Sequence, residues 1–290
     1  MRITVNAAAK VNLFLDIISR RSNGYHNLFM IMQSVDLFDR VTVSESKQSG
    51  IFITCSDNSI PCGKENTAFK AAERFFEAAG ITGRGARIDI EKNIPHAAGL
   101  AGGSADAAAV LYSLNKLFDT GYDIEELCRI GVKTGADVPF CLTGGTRLAQ
   151  NIGEIISPLP PFPDYRFVLA KPDLSVSTKE AYEAFDNKKY VIHPDNDAAL
   201  FAAASGDYDA LCSMSQNVFE QFIEVPERVA VKTEMRKNNC KCCQMSGSGP
   251  TVFGIFENES DAFLCAENLK RSIDSVFVCR PVKKGIIEDT

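Results

Sequence analysis

Apolar side chains near the start of the chain recur with a period of two. Ile3 and Val5, then Val11, Leu13 and Leu15, alternate with polar or small neighbours until Ser19-Arg20-Arg21-Ser22-Asn23-Gly24 interrupts them as a polar turn. Alternation of this kind sends successive side chains to opposite faces of a strand. Residues 2–18 are therefore expected as one or two strands, followed by strands over 29–45 and 51–55. At Asn66 the period changes. Ala68, Ala72, Phe75, Phe76 and Ala79 repeat at three to four residues between a capping Asn66 and a terminating Gly80, which predicts a helix. Ala86 to Glu91 returns to alternation, as a half-buried strand. A loop of small residues, Ile94 to Ser104, then runs into Ala105–Leu117, which is rich in alanine and strongly helix-forming. A further helix is expected over 124–134, closed by Gly135-Ala136-Asp137-Val138-Pro139.

Pro158, Pro160, Pro161 and Pro163 crowd the next stretch and mark a boundary between elements. The expected organisation is a domain over 1–157 and a second over 158–290. In the second, the pattern predicts strands at 166–170, 251–256 and 276–282, with helices at 178–185, near 195–223, at 226–238 and at 260–273. Strands and helices mix without a strict alternation, so the fold class is α+β rather than a doubly wound sheet.

Charge removes some functions from consideration. The chain of 290 residues carries a net charge of −6, about −1 over 1–157 and −5 over 158–290. A mildly acidic surface has no electrostatic footprint for nucleic acid or an anionic membrane, so a phosphorylated ligand must be held by a local site. Ten scattered cysteines, several inside apolar runs such as Val138-Pro139-Phe140-Cys141-Leu142, read as free thiols in a reducing, cytoplasmic setting. The N-terminus enters strand-like sequence directly, and Lys10 breaks any signal-peptide core.

Four segments carry candidate chemistry. Gly99, Gly102 and Gly103 permit positive φ and close approach, Ser104 is placed to cap the helix that follows, and free N–H groups at a helix start attract phosphate. The segment is neither a Walker A loop nor a Gly-x-Gly-x-x-Gly fingerprint. A loop of small residues before a helix serves equally as a packing device. Gly247-Ser248-Gly249-Pro250 forms a second tight loop in the other half, which suggests a cleft between lobes. Asp137 and Lys10 each sit among apolar residues and need partners, which they could be for each other, as a structural ion pair or a reactive one. Cys240-Lys241-Cys242-Cys243 lacks the spacing of a metal knuckle and reads as a helix end with incidental thiols; no protein metal ligand is assigned.

Pro95-His96-Ala97-Ala98-Gly99-Leu100-Ala101-Gly102-Gly103-Ser104-Ala105-Asp106 resembles the second signature of the GHMP kinases, and Met245-Ser246-Gly247-Ser248-Gly249-Pro250 their third. Ala9-Lys10-Val11-Asn12, Gly24-Tyr25-His26 with Gln33 and Asp36, and Gly135-Ala136-Asp137-Val138-Pro139-Phe140 resemble the branch that phosphorylates 4-diphosphocytidyl-2-C-methyl-D-erythritol for isoprenoid synthesis. The resemblance implies a two-lobed α+β fold, with an N-terminal lobe like the ribosomal protein S5 domain 2 fold and a C-terminal ferredoxin-like lobe. It implies that ATP phosphates are held along Pro95, Ala97, Ala98, Gly99, Leu100, Ala101, Gly102, Gly103, Ser104 and Ala105, with Mg²⁺. Asp137 would take the proton of the attacking hydroxyl beside Lys10. Tyr25 would stack on the cytosine, His26 would bond its edge, Tyr182 (or Phe185) would close the sandwich and Asn12 would touch substrate. Asn151 stands where the family has a glycine and tolerates left-handed φ best among other residues. Partners are then small molecules only, without nucleic acid or membrane, on a monomer or weak homodimer. The rival readings are another GHMP kinase, of homoserine or mevalonate type, and a silent nucleotide-binding regulator on the same fold.

Overall fold

A computed structural model describes residues 1–289. The period-two segment at the start is a single long strand, β1 (Arg2–Arg20), hairpinned to β2 (His26–Ser46). The register between them slips at Ala8/Ala9, Asn12/Phe14 and Ile17/Ser19. Such bulges re-aim side chains, and two of them flank Lys10 and Asn12. Around this hairpin lie β3 (Gly50–Cys55), β4 (Gly85–Glu91), β5 (Thr146–Asn151), β6 (Ile155–Pro158) and β11 (Ile286–Glu288), giving a seven-stranded sheet ordered β11-β1-β2-β4-β3, with β5 on β2 and β6 on β5. The sheet is covered by α1 (Thr67–Ala78), α2 (Gly102–Phe118), α3 (Ile124–Gly131) and α4 (Val138–Thr143). Asn66 caps α1 as expected, its side chain accepting from Ala68 N–H.

The second sheet is antiparallel and ordered β10-β7-β9-β8, from β7 (Arg166–Lys171), β8 (Cys242–Met245), β9 (Val252–Phe256) and β10 (Ser275–Cys279). With α8 (Arg228–Lys237) before β8 and α9 (Glu259–Leu269) before β10, this is the ferredoxin-like order that the resemblance implied. Strand alternation divides two cores here. Val168 and Ala170 of β7 pack toward α8 and α9, whereas Phe167 and Leu169 face the main core shared with the first sheet. Between β7 and α8 lie α5 (Thr178–Asp186), α6 (Asn196–Ser205), α7 (Tyr208–Met214) and a short 3₁₀ turn, Val218–Gln221.

Several expectations need correction. The helix expected from Ala105 starts at Gly102, because Ala101 takes left-handed φ 60° and turns the chain there. Ser104 lies inside the first turn and caps nothing, since the N-cap is Ala101 and no side chain fills that role. The helical stretch at 195–223 is broken by Gly206 and Ser215 into two helices and the 3₁₀ turn. Cys240 does follow a helix end, but Cys242 and Cys243 belong to β8 and their thiols are packing groups of a sheet. Helix α4 and strands β5, β6, β8 and β11 carry no expectation at all. All ten cysteines are unpaired, Asn151 holds φ 68°, and no helix among the described residues is long and apolar enough to cross a membrane.

Candidate active site

The site is a cleft of about 700 Å³ where the two glycine loops meet. They touch backbone to backbone. Gly99, at φ +76°, presses so closely on the Ser246 carbonyl that a Cβ would overlap it, and the Ser246 hydroxyl donates to Gly99 O at 2.9 Å. Asn217 braces the second loop from behind, its amide donating to Met245 O (2.6 Å) and Gly247 O (2.8 Å). The first loop is tied to β1 by Lys10 N–H donating to Leu100 O at 3.1 Å.

Helix α2 opens onto the cleft with Gly102, Gly103 and Ser104. Helices α1, α3, α5, α6 and α7 satisfy their first N–H groups with an Asn, Asp or Ser side chain. Helix α2 has neither a side-chain cap nor an acidic residue in its first turn. Its free N–H groups and dipole therefore face the space between the loops, which is the arrangement that binds an anion.

Lys10 is buried, and its ammonium donates to Asn12 Oδ1 at 2.8 Å and Gly99 O at 3.1 Å. Asp137 Oδ2 lies 3.7 Å away, and the Asp137 side chain remains 31 % exposed to the cleft. Asp137 precedes α4 without capping it, so its carboxylate is free for another partner. A lysine and a carboxylate thus face the same space at the edge of the anion site.

A second lysine grips the other end of the loop. Lys92, just past β4, forms ion pairs with Asp39 of β2 and with Asp106 of α2, the latter at 2.7 Å. Asp39 also accepts from Asn93 N–H (2.7 Å) and Ile94 N–H (2.8 Å), at the entry to the loop. Burial, helped by Asp39 beside it, raises the Asp106 carboxyl to about 8 against the pull of Lys92. Burial also opposes the charge on Lys92, yet the two carboxylates hold it above its ordinary value. With Lys92 charged and one carboxyl protonated, the three groups balance. The cluster packs directly on Gly102, where a Cβ would stand 2.9 Å from Lys92 Nζ and 3.1 Å from Ile94 Cγ2.

At the far end of the cleft His26 is buried, its Nε2 2.8 Å from Asp186 Oδ1, with Tyr182 stacked on the imidazole at 4.6 Å and 15°. Burial raises the Tyr182 hydroxyl above its usual range. Tyr25 is 59 % exposed and lines the same space.

The GHMP kinase N-terminal domain family matches residues 66–145, and the GHMP kinase C-terminal family residues 190–274. A 4-diphosphocytidyl-2-C-methyl-D-erythritol kinase of Clostridium beijerinckii is 42% identical over 96% of this chain and 99% of its own length. The chain belongs to the GHMP kinases, in the 4-diphosphocytidyl-2-C-methyl-D-erythritol kinase family. A kinase of the same description from Geobacillus kaustophilus is 42% identical over 97% of both chains. The crystal structure of a 4-(cytidine 5′-diphospho)-2C-methyl-D-erythritol kinase superposes with TM-score 0.79 at 35% identity, over 96% of this chain and 99% of that one. A homoserine kinase from Cytophaga hutchinsonii superposes at 0.82 but at 22% identity, over 99% and 97%, which shows the shared fold alone. As a GHMP kinase the chain uses ATP.

Of the residues that the sequence singled out, Lys10, Asn12, Tyr25, His26, Pro95, Ala97, Ala98, Gly99, Ala101, Gly102, Gly103, Ser104, Asp137 and Tyr182 all line the cleft. Leu100 and Ala105 do not; their side chains are buried, and Leu100 contributes its carbonyl to β1. Tyr182 meets His26, while Phe185 touches it edge-on at 5.7 Å. Sequence reasoning missed Asp39, Lys92 and Asp106, and it missed Asp186. The only sequence signal was a charge inside a buried helix start, at Asp106.

Proposed function

We propose that this kinase transfers the γ-phosphoryl group of ATP to the 2-hydroxyl of 4-diphosphocytidyl-2-C-methyl-D-erythritol, a step of isoprenoid precursor synthesis. The observation that carries the reading is the Lys10 and Asp137 pair beside an uncapped helix start, with a histidine and aromatic cluster at the other end of one cleft. The Asp137 carboxylate accepts the proton of the attacking hydroxyl. Lys10, held by Asn12 and Gly99, keeps that carboxylate aimed and offsets charge on the phosphoryl group in flight. The free N–H groups of Gly102 and Gly103 take the phosphate oxygens, so positioning and charge neutralisation supply most of the rate.

No group of three His, Cys, Asp or Glu side chains among the described residues could enclose a metal ion. The few side-chain oxygens of the cleft fit Mg²⁺ arriving on the nucleotide, which would need few protein oxygens and would neutralise phosphate charge. Ser104 and Asp137, which both line the cleft beside the loop, would contact it.

At the base end, a cytosine bonded in the plane of the His26 imidazole would run parallel to Tyr182, whose ring lies 15° from that plane, and Tyr25, which lines the same space, would stack on its open side. On this reading residues 1–157 hold ATP and the reacting groups, and 158–290 supply Tyr182 and the second glycine loop. A homoserine or mevalonate would leave the aromatic end idle. Turnover with the cytidyl substrate, compared with homoserine and mevalonate, tests the assignment; equal rates on all three would sink it.

A further inference from the structure

We propose that Asp186 is a positioning residue that holds His26 in the one tautomer able to recognise a cytosine amino group, and so sets the base specificity of the kinase. The inference rests on the reading of His26 as a base-recognition residue. Asp186 ends α5 and points its carboxylate at the imidazole, with Oδ1 2.8 Å from His26 Nε2. A carboxylate only accepts, so Nε2 must carry the proton. Arg20 stands 3.3 Å from the second oxygen, Oδ2.

With the proton on Nε2, the other ring nitrogen carries a lone pair. His26 Nδ1 has no partner among the described residues and is not sealed from solvent, and the residue lines the cleft. Stacking against Tyr182 and the edge of Phe185 prevents the ring from turning. The cleft therefore presents a fixed hydrogen-bond acceptor. Cytosine offers an amino group at position 4, whereas uracil offers a carbonyl oxygen there. An acceptor accommodates the first and opposes the second with two lone pairs face to face. A mistaken base leaves buried polar groups unpaired, which is the source of strong discrimination.

Two measurements test the proposal. The first reads kcat and KM on the cytidyl substrate and on its uridyl analogue. The unaltered kinase should prefer the cytidyl compound by about 10²-fold or more in kcat/KM. Asp186→Ala should raise the KM for the cytidyl compound about tenfold and collapse the preference, with much smaller changes in kcat and in the KM for ATP. Parallel loss on both compounds, or an unchanged preference, would overturn it. His26→Ala separates the two levels of the argument: if it leaves the preference intact, base recognition by His26 fails; if it abolishes a preference that Asp186→Ala retains, only the positioning role fails. The second measurement needs no folded variant of Asp186. A long-range ¹H–¹⁵N spectrum of the unaltered chain, with His26 assigned by its loss in His26→Ala, should show Nε2 protonated and Nδ1 bare. A protonated Nδ1 would overturn the proposal directly.

Discussion

Two lysines hold the same glycine loop and are built in opposite ways. Lys92 is clamped between Asp39 and Asp106, and the remaining Asp39 oxygen is taken by two backbone N–H groups. Lys10 is as deeply buried, but its carboxylate partner stands 3.7 Å off, caps nothing and opens to the cleft. The clamped cluster places the loop relative to β2, β4 and α2. The open pair leaves its polar atoms for a ligand. A lysine clamped between two buried carboxylates marks a structural ion cluster, and a looser pair whose carboxylate opens to a cleft marks a reactive one.

The contrast breaks most sharply at Asp137. Asp137→Asn should lower kcat by about 10²–10⁴-fold while leaving thermal stability nearly unchanged; steady-state kinetics with a melting curve would read both. Lys92→Met should do the reverse. A buried carboxylate and its protonated neighbour would be left without their cation, at a cost of about 3–5 kcal/mol, measurable by urea denaturation. If this variant melted normally and lost only turnover, the division of labour would be wrong. Gly99→Ala tests the loop that joins the two sites. Its left-handed φ disfavours a side chain by about 1–2 kcal/mol, and the collision with the Ser246 carbonyl must part the loops. A misplacement of that size should cost about 10²-fold in kcat, with a milder loss of stability.

A pH dependence sharpens the same contrast. The Asp106 carboxyl sits near 8 in the folded chain, above its unfolded value near 3.8. The folded state therefore binds more protons, and this group withdraws stability as pH rises from about 4 to about 8. Asp106→Asn removes the titration. Its melting temperature relative to the unaltered chain should climb across that window and level off above it, as a series of melts at stepped pH would show.

Much of the site was legible because its residues are close in sequence. Lys10 and Asn12 share a strand face by their spacing of two, and Gly99 to Ser104 announce themselves as a run of small residues. The clamped cluster was not legible, since Asp39, Lys92 and Asp106 come from three segments whose meeting depends on sheet order. Asp186 escaped for the same reason: its partner His26 lies on β2, across the cleft. In the fold, long strands and Asn66-capped α1 followed from periodicity. The short strands β6, β8 and β11 are too brief to show a period and are specified by their partners. Ala101 misled because alanine normally continues a helix, whereas here it adopts left-handed φ and starts one.

Strand β11 returns from the far end of the chain to pair Ile286 with Ala7, three residues from Lys10. During synthesis the outer edge of β1 must therefore wait, unpaired, until the ribosome has made the whole second lobe. An exposed strand edge invites pairing with other chains, so until residues 286–288 are in place this side of the first sheet is its least protected.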